Sequence, residues 1–96
     1  MSRALILLQN INNFEILCEI DNEDFPLEAI KIIAQVLMDN KEKYPVGNWK
    51  KVPVKEHLDH AGIHLINAVH GFQDEPHLHH ALTRLAMVAE LKEKGK

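Results

Sequence analysis

His57-Leu58-Asp59-His60-Ala61-Gly62-Ile63-His64-Leu65 and His77-Leu78-His79-His80-Ala81-Leu82-Thr83-Arg84-Leu85 both read His-Leu-x-His-Ala-x-x-(His or Arg)-Leu. At about 100° per residue, Leu58, Ala61, Leu65, Val69 and Phe72 form one apolar stripe, and Leu78, Ala81, Leu82, Leu85 and Val88 form another. The spacing predicts two helices, over 54–71 and 76–93, joined by Gly71-Phe72-Gln73-Asp74-Glu75. A connection this short makes an antiparallel helical hairpin spanning 54–93, with the two stripes meeting each other or the preceding helix.

Upstream of the hairpin, residues 41–53 break the regular patterning with Tyr44-Pro45, Gly47 and Pro53, and read as a basic, aromatic linker. Before it, Leu27, Ile30, Ile33, Ala34 and Leu37 recur at helical spacing, with Ile32 and Val36 beside them, which predicts a helix over 24–40 covered on more than one side. Asp21, Asn22, Glu23 and Asp24 supply capping groups and negative charge at its start, and Pro26 suits its first turn. Further out, Leu5-Ile6-Leu7-Leu8 and the alternating Phe14-Glu15-Ile16-Leu17-Cys18-Glu19-Ile20 predict a β-hairpin within residues 1–21, turning at Asn10-Ile11-Asn12-Asn13. Two strands alone are marginal in water, so the hairpin is expected to pack on a helix or on a second chain. The expected fold is therefore α+β: one domain over 1–96, an N-terminal β-hairpin followed by three α-helices, the last two an antiparallel pair.

All seven histidines lie between His57 and His80. His57, His60 and His64 line one shoulder of the first stripe, and His77, His80 and Arg84 line the matching shoulder of the second, so together they edge a shared groove. His70 and His79 fall outside it. Imidazoles at spacings of three or four can hold one divalent ion, and Asp59, Asp74 and Glu75 are the nearby carboxylates. Asp59 falls on the opposite side of its helix from His64. For His57 and His60 a plain polar shoulder is the alternative to a ligand role.

The linker Lys43-Tyr44-Pro45-Val46-Gly47-Asn48-Trp49-Lys50-Lys51 has the makings of a nucleotide site. Lysines neutralise phosphates, an aromatic plane stacks on a base, Asn48 reads a base edge, and Gly47 permits close backbone approach. The alternative has Trp49 and Tyr44 filling the core while the lysines are solvated.

Composition narrows the classes. Ninety-six residues with 11 Lys+Arg against 14 Asp+Glu, a net charge of -3, argue against a sequence-independent duplex nucleic-acid binder. Cys18, the one cysteine, has no intramolecular partner and reads as a core side chain on a strand. Neither a signal peptide nor a membrane span is legible, so the cytoplasm is the expected address. Glycine-rich phosphate loops, nucleophile elbows and paired-cysteine metal motifs are missing. A groove deep enough for a nucleotide is hard to build from three helices, and the broad apolar girth of 27–37 suggests a homo-oligomer.

Lys43-Tyr44, Asn48-Trp49-Lys50-Lys51, Asp59, His64-Leu65, Gly71, Asp74 and His77-Leu78-x-His80-Ala81 together resemble the helical domain of phage-associated dATP/dGTP diphosphohydrolases, over about residues 43–91. The resemblance leaves out the N-terminal hairpin. It implies a deoxynucleoside triphosphate ligand cleaved to monophosphate and pyrophosphate, and a divalent ion, magnesium or manganese with zinc as the alternative. The positions carried over by that resemblance are Asn48 and Trp49 for the nucleotide, His64, His77, His80 and Asp59 for the metal, and Asp74; the reaction it implies would further take Asp74 or Glu75 as the catalytic base and Lys50, Lys51 or Arg84 as the phosphate-binding group. Two positions depart from the family pattern: Phe72 stands where an acid is expected after the loop glycine, and Ile63 where an arginine is expected before the first histidine. The departures leave open a protein that binds or sequesters nucleotides without hydrolysing them. A structural interaction module is the third alternative.

Overall fold

The computed structural model describes residues 3–9, 15–21 and 24–95. Its order is β1 (Arg3–Gln9), β2 (Glu15–Asp21), α1 (Leu27–Asp39), a 3-10 helix (Asn48–Lys51), α2 (Val54–Val69) and α3 (His77–Lys94). The asparagine turn at 10–13, Phe14, and the capping residues Asn22 and Glu23 lie outside the described residues, as do the side chains of both strands.

Local chemistry sets the helix boundaries. Pro53 and Pro76 sit at the N-caps of α2 and α3, where the missing N–H costs nothing. At its other end α2 stops at Gly71, whose φ of 76° is a left-handed conformation suited to glycine. Gly71 N–H donates to the Ala68 carbonyl at 3.0 Å and Phe72 N–H to the Asn67 carbonyl at 3.1 Å, the paired bonds of a Schellman stop. Similarly, Gly47, with φ 75°, turns the chain into the 3-10 helix. α1 starts after Pro26 without any side-chain cap, so the capping expected of the acidic stretch is not made by described side chains.

α3 folds back along α2. His57 meets Arg84 and His64 meets His77, so residues pair in reverse order and the two helices are antiparallel. Their seam is narrow. Ala61 and Ala81 are 1% and 0% exposed, and with no bulk beyond Cβ they allow the helices to approach closely. His57, His77 and Val88 fill the rest of the seam. The leucine stripes were expected to meet in this space, and they do not: Leu58, Leu65, Leu78 and Leu85 are all exposed. The helices meet between stripe and shoulder, because alanine paired with a satisfied histidine packs closer there than leucine against leucine.

α1 lies against α3 and the 3-10 helix touches α3 as well. The half-buried side of α1 carries Ala29, Ile32, Ile33 and Val36, while Leu27, Ile30 and Leu37, the expected main stripe, are exposed. None of its residues is buried, so α1 is a flank of the body and not its centre.

The α+β expectation is corrected. The packed body, 24–95, is all-helical, with three helices and no strand. β1 and β2 pair with each other, antiparallel from Arg3↔Asp21 to Gln9↔Glu15, but among the described residues they lie against no helix. A layer of sheet on helix, which α+β architecture requires, is therefore not formed.

The alanine seam yields a measurable expectation. Ala81→Leu overfills it and should lower stability by about 1–3 kcal/mol, read from the urea midpoint followed by circular dichroism. Ala34→Leu, on the exposed side of α1, should leave that midpoint within about 0.5 kcal/mol.

Candidate functional site

Burying an imidazole requires a partner for each nitrogen, and both seam histidines have two. His57, fully buried, has Nδ1 2.9 Å from an Arg84 guanidinium nitrogen and Nε2 2.9 Å from the Trp49 carbonyl. Since guanidinium only donates, Nδ1 accepts and Nε2–H donates to Trp49. One ring thus ties α3 to the turn that carries the sole tryptophan. His77, 5% exposed, has Nε2 2.8 Å from Asp74 Oδ1 and Nδ1 2.9 Å from His64 Nδ1.

The echo in sequence is also an echo in space. His57 and His77 occupy the same position in the repeat, as do Arg84 and His64, and each histidine reaches across the seam to its opposite number. The hairpin has a local two-fold, with a guanidinium on one side where the other has an imidazole.

Around that imidazole a cluster forms. His64, Glu75 and His80 each bring one potential ligand atom, all within 4.8 Å of one another. His80 Nδ1 is 2.9 Å from Glu75 Oε1, and His64 Nδ1 is 3.6 Å from the same oxygen. Burial pushes the His64 imidazole below its ordinary value; Glu75 opposes this, and His80, His77 and Arg84 add to it. A lowered pKa favours the neutral ring that ligation requires. Two imidazoles and one carboxylate suit manganese or zinc better than magnesium, which favours an all-oxygen shell.

The cluster opens onto a cleft of about 690 Å³ between α1, the linker, α2 and α3. Its walls include Asn40, Lys41, Tyr44, Asn48, Trp49, Glu56, His57, His60, His64, His80 and Arg84. Among the described residues Arg84 has no ion pair and bonds only to His57, so its positive charge is uncompensated inside the cleft.

The expected site residues divide accordingly. Asn48, Trp49, Arg84, His64 and His80 line the cleft, and Glu75 joins the cluster at its edge. Others stand apart from it. Asp59 is on the outer side of α2, bonded to Lys55 at 2.9 Å, which also raises the Lys55 pKa. Asp74 is exposed and spends its carboxylate on His77, a bond that lowers its own pKa. His77 is thereby a support for His64 and lies outside the cluster of three. Lys50 and Lys51 face solvent, with Lys50 5.7 Å from the Trp49 ring centre. Glu56 and Lys41 are charged cleft residues that the sequence did not mark as part of a site. Glu56, the one carboxylate among the described lining residues, is 3.9 Å from His60, and its place in the first turn of α2 reads as a helix-dipole acid. Lys41, in the turn after α1, carries no motif.

A protein-family model described as dATP/dGTP diphosphohydrolase, N-terminal, matches residues 12–96. The chain belongs to this family. No curated protein and no solved structure matches it. The diphosphohydrolase match extends well beyond 43–91, taking in β2 and α1, so the second strand lies inside the family's span and not outside it. Among the described residues no helix is long and apolar enough to cross a membrane.

Two outcomes test this geometry. His57→Ala should cost about 3 kcal/mol through a cavity and two orphaned partners, and should red-shift the Trp49 emission; His60→Ala, half-exposed, should do neither. In chelator, stability should fall as pH drops below the ordinary histidine value of 6.5, because the unfolded chain takes up the His64 proton first. Asp74, depressed by its bond to His77, adds a further loss at lower pH, in the same direction. His64→Gln should shallow the first of these slopes in urea melts run across pH.

Proposed function

We propose that the cleft binds a purine deoxynucleoside triphosphate together with a divalent ion, and that the chain hydrolyses it to monophosphate and pyrophosphate. The observation that carries this reading is the meeting of two cation devices on one wall: the His64–Glu75–His80 cluster, and the unpaired Arg84 about 6 Å further along α3. A triphosphate chain is long enough to reach from one to the other. Family membership supplies the substrate class.

Each residue then has a physical task. Arg84 offers its remaining N–H donors to a phosphate, while His57 holds the guanidinium in place. Trp49 and Tyr44 supply faces for a base, and Asn48 an amide for its edge. His64, His80 and Glu75 would hold the ion, which when bound neutralises phosphate charge. Glu56, seconded by His60, is the carboxylate placed to accept a proton from water. Water oxygen joins the α-phosphorus, the bond from that phosphorus to the bridging oxygen breaks, and pyrophosphate leaves with the bonding pair.

Retention without hydrolysis is the second reading. Phe72 and Ile63, both exposed, stand where the family resemblance expects an acid and an arginine. The same protein in the cytoplasm would then act as a nucleotide sponge.

Purified protein incubated with dATP or dGTP and manganese should release pyrophosphate, and calorimetry should show one ion per chain, lost in His80→Ala. Arg84→Ala should weaken nucleotide binding by about 10- to 100-fold while leaving metal binding intact. Nucleotide retained without pyrophosphate favours the second reading, and neither binding nor release overturns both.

A further inference from the structure

Among the described residues His57 is the largest side chain that is fully buried. An apolar side chain of similar size would fill the same place in the seam without needing a partner at either end. The ring is instead spent on two groups that line the cleft: Nδ1 accepts from the Arg84 guanidinium and Nε2–H donates to the Trp49 carbonyl, each at 2.9 Å. Both bonds demand the same tautomer. With the proton on Nδ1, an N–H would face the guanidinium N–H and a lone pair would face the carbonyl, so neither bond would survive.

Each partner depends on this ring. Arg84 is half-buried, and among the described residues it bonds to nothing else. The backbone bonds of the 3-10 turn are local: Asn48 N–H to the Pro45 carbonyl, Lys50 N–H to Gly47 and Val52 N–H to Trp49, at 3.0, 3.0 and 3.3 Å. Among the described residues the bond from His57 Nε2–H is the one that carries residues 48–51 to the helices. The turn in its place holds Asn48 and the half-buried Trp49 against the cleft.

We infer that His57 is a double-ended positioning residue, which sets the span between a base platform at Trp49 and a phosphate-binding group at Arg84 and so makes the cleft select a nucleotide over a bare polyphosphate. The inference rests on the reading of the cleft as a nucleotide site. With both nitrogens engaged, His57 has no group left for a ligand and acts through its two neighbours. Preorganising two recognition groups at a fixed separation cuts the ordering cost for a ligand that reaches both. A bare polyphosphate reaches Arg84 and gains nothing from the turn. An apolar side chain at 57 would pack the seam and leave the two groups independent of each other.

Two substitutions separate the two bonds. Asparagine Oδ1 falls where the ring Nδ1 stands, and glutamine Nε2 falls where the ring Nε2 stands, so His57→Asn keeps the acceptor for Arg84 and His57→Gln keeps the donor to Trp49. Calorimetry of the full chain with manganese reads the outcome, the probes being inorganic tripolyphosphate and the α,β-methylene analogue of dATP, which resists cleavage at the α-phosphorus. In His57→Gln both affinities should fall about 10-fold together, and the bound analogue should still quench Trp49 emission. In His57→Asn tripolyphosphate should keep its affinity, while the analogue loses about 10-fold and its quenching of Trp49. Equal losses in the two variants, as a merely structural histidine would give, overturn the inference, and so does no loss in either. Should one variant lose its helical dichroism, the other carries the test, beside nitrogen-15 NMR of the wild-type ring, where a proton on Nδ1 in place of Nε2 overturns the inference. A wild type that binds neither probe overturns the nucleotide reading, and the role of His57 with it; wild-type binding with the wrong pattern in the variants overturns the role of His57 alone.

Discussion

Two histidines buried in an alanine seam are the constraint from which the rest of this structure follows. Removing an imidazole from water costs several kcal/mol unless both nitrogens are hydrogen-bonded, so each buried ring dictates what must stand at its two ends. For His57 those ends are Arg84 and the Trp49 carbonyl; for His77 they are His64 and Asp74. The seam therefore fixes the positions of the guanidinium, the tryptophan turn and the central histidine of the metal-type cluster. Packing and site chemistry are the same bonds here.

That arrangement also explains why the site is asymmetric on a nearly symmetric frame. At matched positions the hairpin places Arg84 and His64, one a permanent cation and the other an imidazole whose pKa burial lowers. The loop 70–76 adds Asp74 and Glu75 on the side of His64, where acids support imidazoles and complete a ligand set. On the side of Arg84 the 3-10 turn adds a backbone carbonyl through His57 and no carboxylate. One half gathers groups that could hold a cation, and the other presents one of its own.

Much of this was legible in the residues. Helical spacing located the paired helices, and the shoulder positions of His60, His64, His80 and Arg84 do edge one cleft with Asn48 and Trp49. What was not legible is decided by tertiary packing. A helical wheel ranks leucine above alanine as the buried side, yet interhelical distance here is set by Ala61 and Ala81. The role of His57 depends on two partners 8 and 27 residues away, which no local window contains. Asp59, expected on the side of its helix opposite His64, has its carboxylate paired with Lys55, one turn back on its own helix. The α+β reading fell because alternation in 14–20 bears on strand formation, not on whether a sheet finds a helix to cover it.

A chain with net charge -3 must still attract a polyanion if the functional reading holds, and the distribution of charge resolves the difficulty. The acids are mostly outside: Asp59 is paired on the outer face of α2, Asp74 faces solvent behind His77, and Glu28, Glu90 and Asp39 bond to neighbours on exposed helix surfaces. Among the described residues the cleft wall holds Arg84, Lys41 and four histidines against Glu56, with Glu75 at its edge. Low-dielectric walls focus such a local excess, so the potential felt by an entering phosphate is set by the lining and not by the sum over the surface. Salt then acts in a particular way: it screens the outer acids first and the partly buried Arg84 least. The guanidinium itself is held by His57, whose Nδ1 accepts from it without adding a second fixed charge. An acid in place of His57 would pair with Arg84 and cancel the field; only a neutral acceptor can hold the guanidinium and leave its charge available.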